Sequence, residues 1–248
     1  MEGMIAQRLA QGCAAMGLAL TQTMREQFAA YDALLREANT RMDLTAVLDP
    51  LEAVDRHYLD SLTPLRVPGL LPEGARCADV GSGAGFPGIP LAIARPDTVW
   101  VLLDAQSKRV GFLREVIAAL GLRAEAVHIR AEDAGRAAAH REAYAVAVAR
   151  AVAGLPVLLE LTLPLVAVGG YAMAWKGPAA QEEWGAGQAA ARLLGGTLRA
   201  PLAAPVPDRD WRHTLVVADK RQSTPRAYPR KAGEPSRRPL GGAPGKPQ

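Results

Sequence analysis

CADVGSGAGFPGIP, residues 77–90, decides how this chain folds, because its glycines can be counted in two frames. From Gly81 they read G-x-G-x-G; from Gly83 to Gly88 they read G-x-G-x-x-G. Arg76 to Val80 reads as a short strand, so the glycine directly after it is Gly81. Counting from Gly83 would put the pair Gly81-Ser82 inside that strand. Pro87 and Pro90 then fall in the first turn of the next helix, where a missing N–H costs least. Gly88 becomes a close-packing position at the helix start.

In this frame Gly81, Gly83 and Gly85, lacking Cβ, can take positive φ and bring their amides close to a bulky ligand. Asp79 stands two residues before Gly81, where a carboxylate suits a cation or an ammonium and is out of place against a pyrophosphate. The frame is that of S-adenosylmethionine (AdoMet) sites; a nicotinamide cofactor and a purely structural loop are the alternatives. The second strand ends at Asp104, placed to accept hydrogen bonds from two ribose hydroxyls of either cofactor. RAED, Arg130 to Asp133, follows the third strand, where a main-chain amide and an acidic side chain can read an adenine edge. An acid at a helix start is also ordinary capping.

Outward from the loop, short apolar runs alternate with helical ones. Strands are predicted near Arg76–Val80, Val99–Leu103, Ala126–Ile129, Ala145–Ala149, Gly170–Trp175, Gly196–Leu202 and His213–Ala218. Helices are predicted near Pro87–Ala94, Lys108–Leu120 with Ser107 as cap, Asp133–His140, Leu155–Leu163 and Gln181–Leu194. The alternation implies an α/β fold: a doubly wound, Rossmann-like sheet of about seven strands whose last pair is antiparallel. Three helices precede it, over Met4–Met16, from a capping box at Thr23 and Glu26, and from Asp49 with Pro50 at the first position. The chain therefore divides into a helical module (1–65), a cofactor domain (66–220) and a basic Pro- and Gly-rich tail (221–248).

Composition narrows the class. With 49% hydrophobic residues the chain can bury a large core. It has no apolar run long enough to span a membrane, and Glu2 and Arg8 spoil a secretory signal, so a cytoplasmic protein is expected. Cys13 and Cys77 have the spacing of neither a disulfide framework nor a metal site, and no metal is expected. The net charge is +4, yet residues 219–248 hold eight Lys or Arg against two acids, leaving the remainder at −2. A polyanionic partner held by the tail follows from this asymmetry, with a merely solvated terminus as the alternative.

What is missing is informative about chemistry. No Asn/Asp-Pro-Pro-aromatic run supports exocyclic amino methylation, and neither cysteine is placed as a nucleophile. Arg150 stands at the end of the fourth strand, where a general base would be sought. Guanine N7 carries a free lone pair, so its methylation needs only in-line positioning, which can supply on the order of 7–11 kcal/mol. An unstacked base must also be held by cationic and aromatic groups. Arg150, Lys176, Tyr228, Arg230 and Lys231 are candidates.

YDALLREANTRMDLTAV, RHYLDSL, DVGSGAGFPGIPLAI, LLDAQSKRVGFLREV, RAED, ARAVAGL, GGYAMAWKG and TPRAYPRKAGEPSRRPL span most of the chain. In combination they resemble the bacterial RsmG (GidB) family of 16S rRNA guanine-N7 methyltransferases. The resemblance implies a class I AdoMet methyltransferase fold and N7 methylation of one guanosine of 16S rRNA in the small ribosomal subunit; separately, a monomer is expected. It implies AdoMet contacts at Gly81 and Phe86, at the strand end Asp104, Ala105 and Gln106, at Ala131 and Glu132, and at Arg150. Target positioning falls to Arg150 and Lys176, and RNA contact to Arg226, Tyr228, Arg230, Lys231, Arg237 and Arg238. Two positions depart from the pattern. Asp43 replaces an asparagine, which would alter a hydrogen bond between the helices and the cofactor domain, and Ala145 replaces an aspartate. His57, Asp60 and Ser61 match the family's H-x-x-D-S on one helix face.

Overall fold

The computed structural model describes residues 2–241, beginning with helices α1 (Glu2–Ala15) and α2 (Gln22–Met42). Thr21, rather than Thr23, caps α2: it has the extended backbone an N-cap needs, and its hydroxyl accepts from the Met24 N–H at 3.2 Å. Asp43 closes α2 in the left-handed region at φ 47°, which asparagine and aspartate tolerate best among residues with a Cβ. That conformation accounts for the residue type, and it is Thr45, not Asp43, that reaches His57, Oγ1 to Nε2 at 2.7 Å. Helix α3 (Pro50–Ala53) starts as predicted, with Asp49 accepting from the Glu52 N–H at 2.8 Å. It continues through a π-helical turn, Val54–Leu59, into α4 (Asp60–Leu62).

The alternating part then follows: β1 (Arg76–Val80), α5 (Gly88–Ala94), β2 (Val99–Asp104), α6 (Ser107–Leu120), β3 (Ala124–His128), α7 (Ala131–Ala134), β4 (Tyr144–Arg150), α8 (Leu155–Thr162) and β5 (Val166–Lys176). After these come α9 (Trp184–Leu193), β6 (Gly196–Leu198), β7 (Leu202–Ala203), β8 (Thr214–Lys220) and α10 (Glu234–Arg237). The sheet order is β3-β2-β1-β4-β5-β8-β6, with β7 also paired to β8. Strands β1 to β5 are parallel, and β8 runs antiparallel between β5 and β6. Strand order reverses between β1 and β4, which puts the ligand crevice of such a sheet at their carboxyl ends.

Several predicted elements change at their ends, β5 for instance starting at Val166 rather than Gly170. The strand expected over Gly196–Leu202 splits into β6 and β7, because the segment containing Pro201 cannot continue the ladder. Helix α7 stops at Ala134 rather than reaching His140, and a Cβ at Gly135 would lie 2.8 Å from Pro229. Ser107 is the first residue of α6 and not its cap; Gln106 holds that position, its N–H bonded to Asp104 Oδ1 at 2.8 Å.

One core fills the face of the sheet toward α1–α6 and joins Leu9, Phe28, Tyr31 and Tyr58 to Ile89, Trp100, Met173 and Val217. The second, under α8 and α9, is built on Val80, Leu103, Leu158 and Ala190. Cys13 and Cys77 are packing residues whose thiols burial pushes up to about 12. The tail is docked on this second side. Pro229 and Pro235 are buried, and Arg141 donates to the carbonyls of Thr224 and Tyr228 at 2.6 and 2.8 Å. Residues 242–248, with Lys246, lie outside the described residues.

Candidate active site

All three loop glycines have positive φ, 68° at Gly81, 57° at Gly83 and 107° at Gly85, a course that residues with a Cβ rarely take. Their amides, however, are spent inside the protein. Gly81 N–H donates to Leu103 O at 2.8 Å, Gly83 N–H to Asp104 Oδ2 at 2.9 Å and Gly85 N–H to Ser82 O at 2.7 Å. Gly85 is a core position, since a Cβ there would lie 2.6 Å from Ile89 and 2.8 Å from the Tyr31 hydroxyl. Gly83 presents its open side, with only Gly81 O within 4 Å of such a Cβ, at 3.9 Å. Gly88 packs as predicted: a Cβ would meet Leu102 at 2.4 Å and Asp79 Oδ2 at 2.7 Å. Close packing at Gly88 suits either count of the glycines; what favours the count from Gly81 is that β1 ends at Val80, so Gly81 and not Gly83 directly follows the strand.

Asp79 is fully buried at the foot of the loop. Its Oδ2 accepts from the Gly88 N–H at 2.9 Å, while Oδ1 has no partner. Burial pushes this carboxyl up to about 7, against the pull of the Gly88 N–H and the Arg150 charge. An orphaned buried carboxylate oxygen fits a cationic ligand group. Asp104 is fixed by the amides of Gly83 and Gln106, one on each oxygen, so its second lone pairs are aimed rather than mobile. Ala105 and Gln106 are exposed beside it, and Ala131 and Glu132 are half-buried at the next strand end. The residues at these strand ends fit AdoMet.

Beyond β4 the backbone is strained: Ala151 has φ 56°, a left-handed conformation unusual for a residue with a Cβ, at the switch point of the sheet. The neighbouring cavity, ≈ 430 Å³, is walled by Arg56, His57, Asp60, Arg150, Trp175, Lys176 and His213, among others. Asp60 is its hub. Its carboxylate holds Arg150 Nη1 at 2.9 Å and His213 Nδ1 at 2.8 Å, and its carbonyl accepts from Trp175 Nε1 at 2.9 Å. Lys176 Nζ pairs with Glu183 Oε2 at 2.9 Å. The Phe86 ring stacks on His57 at 4.5 Å and has the Arg150 guanidinium 5.2 Å from its centroid. Burial, with the Arg150 charge adding to it, pulls His57 down to about 4, so it is neutral at pH 7. Ser61 is fully buried with its hydroxyl on the His57 carbonyl, so it supports the helix and does not face the cavity.

Residues 24–203 match the family described as rRNA small subunit methyltransferase G. The chain belongs to this family. The ribosomal RNA small subunit methyltransferase G of Pelotomaculum thermopropionicum is 44% identical over 238 residues, 95% of this chain and 99% of that protein. Its counterpart in Symbiobacterium thermophilum is also 44% identical, over 94% and 96% of the two chains. Among solved structures the fold recurs at low identity. A branched-chain polyamine synthase from Thermus thermophilus, solved with N4-aminopropylspermidine and 5'-methylthioadenosine, has TM-score 0.56 at 16% identity, covering 79% of this chain and 65% of that one. A putative methyltransferase from Haloferax volcanii, solved with its Trm112 activator, has TM-score 0.53 at 14% identity over 77% and 98%.

For a methyltransferase of this family the tail holds one correction. Arg230 is no free cation: its guanidinium grips Glu160 with Nε at 2.9 Å and Nη2 at 2.5 Å, and its own N–H adds a third bond at 2.9 Å. Glu160 is fully buried, which makes Arg230 the anchor of the tail. Tyr228 is half-buried on the second core. Arg226, Lys231, Arg237 and Arg238 are exposed. Glu132 accepts from the Gly233 N–H at 3.0 Å, joining the tail to the strand end expected to hold adenine. Sequence reasoning gave no site role to Trp175, Glu183 or His213; Trp175 and His213 entered only as the last and first residues of predicted strands, and Glu183 only as part of a predicted helix.

Proposed function

We propose that this chain methylates N7 of a guanosine in 16S rRNA of the small ribosomal subunit, with AdoMet as donor, acting as a monomer in the cytoplasm. The observation that carries the reading is the target cavity at the end of β4, next to the glycine loop, whose cations are already paired. Methylation at N7 leaves a positive charge on the base. A cavity lined by unpaired cations would oppose that charge; pairing Arg150 with Asp60 and Lys176 with Glu183 removes the opposition. An arginine fork on guanine normally takes both O6 and N7. Arg150 is held through Nη1 alone, by Asp60 at 2.9 Å and the Arg56 carbonyl at 3.0 Å, and its remaining N–H groups would serve O6 or a phosphate.

When bound, AdoMet supplies an electrophilic methyl group on a sulfonium. Asp104 would accept the ribose hydroxyls, Asp79 Oδ1 would face the ammonium directly or through water, and Ala131 with Glu132 would border adenine. Gly81, Gly83 and Phe86 would wall the rest. No general base is required, because N7 bears no proton, and the neutral His57 serves as a flat support for Phe86. Positioning alone then lowers the barrier.

The test is transfer of labelled methyl from AdoMet to small-subunit RNA of a strain lacking the modification, followed by mapping of the product. Label on guanine N7 is the expected result; label on another atom, or only on protein, refutes it. Asp104→Asn should weaken AdoMet binding about 10- to 100-fold in calorimetry, since a charged acceptor of several bonds is lost.

A further inference from the structure

On the other side of Gly177 lies a second cavity, ≈ 550 Å³, and Gly177 belongs to the walls of both. Alternation at the start of β8 separates them: His213 faces the target cavity, while Arg212 and Thr214 line the second. The second cavity also carries the indole of Trp184 and the amide of Gln181. Trp184 is half-buried against the second core at the first position of α9, and Arg212 is exposed. A Cβ at Gly177 would touch nothing within 4 Å, so no side chain is packed against the residue the two cavities share.

Arg212 is the one charged residue in the wall of this cavity, and of the two acids next to Trp184, Glu183 is already paired with Lys176. The described tail ends at Gly241, pressed against Ala186 and Ala189 of α9, with Arg237 and Arg238 exposed just before it. The helix that presents Trp184 is therefore the one on which the basic tail arrives. An indole face beside a guanidinium is a platform on which any base can stack while its phosphate meets a cation.

We propose that the second cavity holds the nucleotide next to the target guanosine on the same RNA strand, with Trp184 stacking on its base and Arg212 meeting its phosphate. The proposal rests on the RNA-methyltransferase reading above and assigns that enzyme a specificity subsite. Two cavities sharing one glycine suit two successive nucleotides, one unstacked for reaction and one gripped to hold the strand.

Small-subunit RNA from a strain lacking the modification is the probe, used in methyl-transfer kinetics and in an anisotropy titration with the full chain. Trp184→Ala should lower kcat/KM and RNA affinity about 5- to 150-fold, the range of one lost base stack, with AdoMet Kd within about twofold of the parent. Trp184→Phe, which keeps an aromatic face, should stay within about tenfold of the parent. Trp184→Leu, which fills space against the core but cannot stack, should fall with the alanine variant. Arg212→Gln should reduce the slope of log K against log salt by about one. Equal behaviour of the leucine and phenylalanine variants, or unchanged RNA affinity in Trp184→Ala, overturns the subsite. A parent protein that binds this RNA but transfers no methyl would instead refute the proposed function, and the affinities of the same variants would still decide the subsite.

Discussion

The Arg230–Glu160 pair offers a sharp test of how the tail is held. Glu160 is fully buried and takes three bonds from Arg230, two from the guanidinium and one from the main chain. Arg230→Ala would strand a carboxylate in the second core, and breaking a buried pair from one side costs about 3–5 kcal/mol. The molecule can escape that cost by lifting the tail and wetting Glu160, so the loss should appear as local undocking before global unfolding. Trypsin reads this directly. Arg226 and Lys231 are exposed, but cleavage beside them needs the backbone free of its bonds to Arg141 and Arg136. In the regime where cleavage follows the open population, the rate should rise about 100- to 4,000-fold in Arg230→Ala. The double variant Glu160→Leu with Arg230→Met, which leaves no stranded charge, should recover most of the protection. A cleavage rate within threefold of the parent, combined with a marked loss of RNA affinity, would refute the anchor and return Arg230 to the RNA surface.

Gly88→Ala should destabilise by about 1–3 kcal/mol through overpacking against Leu102 and Asp79 and lower Tm by roughly 2–12 °C; calorimetry showing an unchanged Tm would refute the tight packing of this position. Gly83→Ala, with space for a Cβ but φ 57°, should lose only about 1–2 kcal/mol. His57 has a folded pKa below its unfolded value, so its contribution is complete above pH 6.5 and is lost as pH falls toward about 4. His57→Phe keeps a ring on Phe86 without the titration, and urea midpoints between pH 7 and 4 should fall less steeply than in the parent; parallel curves would contradict the assignment. Changing Arg226, Lys231, Arg237 and Arg238 together to glutamine should flatten the RNA salt slope by about 3–4 at constant AdoMet affinity, and an identical slope would reject tail contact with phosphate.

The alternation of strands and helices was legible because each apolar run ended at a glycine, a proline or a charged turn. β1 came out residue for residue, and Gly88 showed its packing role through nothing more than the position of Val80 and two prolines. Misreadings arose where distant chain segments decide the outcome. Nothing near Arg230 in sequence announces Glu160, and nothing near Gly135 announces that Pro229, 94 positions further on, packs against it. The glycine amides looked available because local sequence cannot reveal that Leu103, Asp104 and Ser82 already take them. The cofactor half of the candidate site lies on consecutive strand ends and could be read; the target half is gathered from four separate segments, and of its members only Arg150 and Lys176 were singled out for target positioning.

That gathering has a consequence for when the site can exist. Asp60, Arg150 and Trp175 are all present in a growing chain well before His213, which leads β8 into its place between β5 and β6. Folding during synthesis proceeds from the N-terminal side. A nascent chain that has completed the glycine loop and the first five strands still presents an unfinished cavity, with Asp60 missing one partner and β5 an open edge. Truncated translation products should therefore be inert toward RNA even when they can hold cofactor.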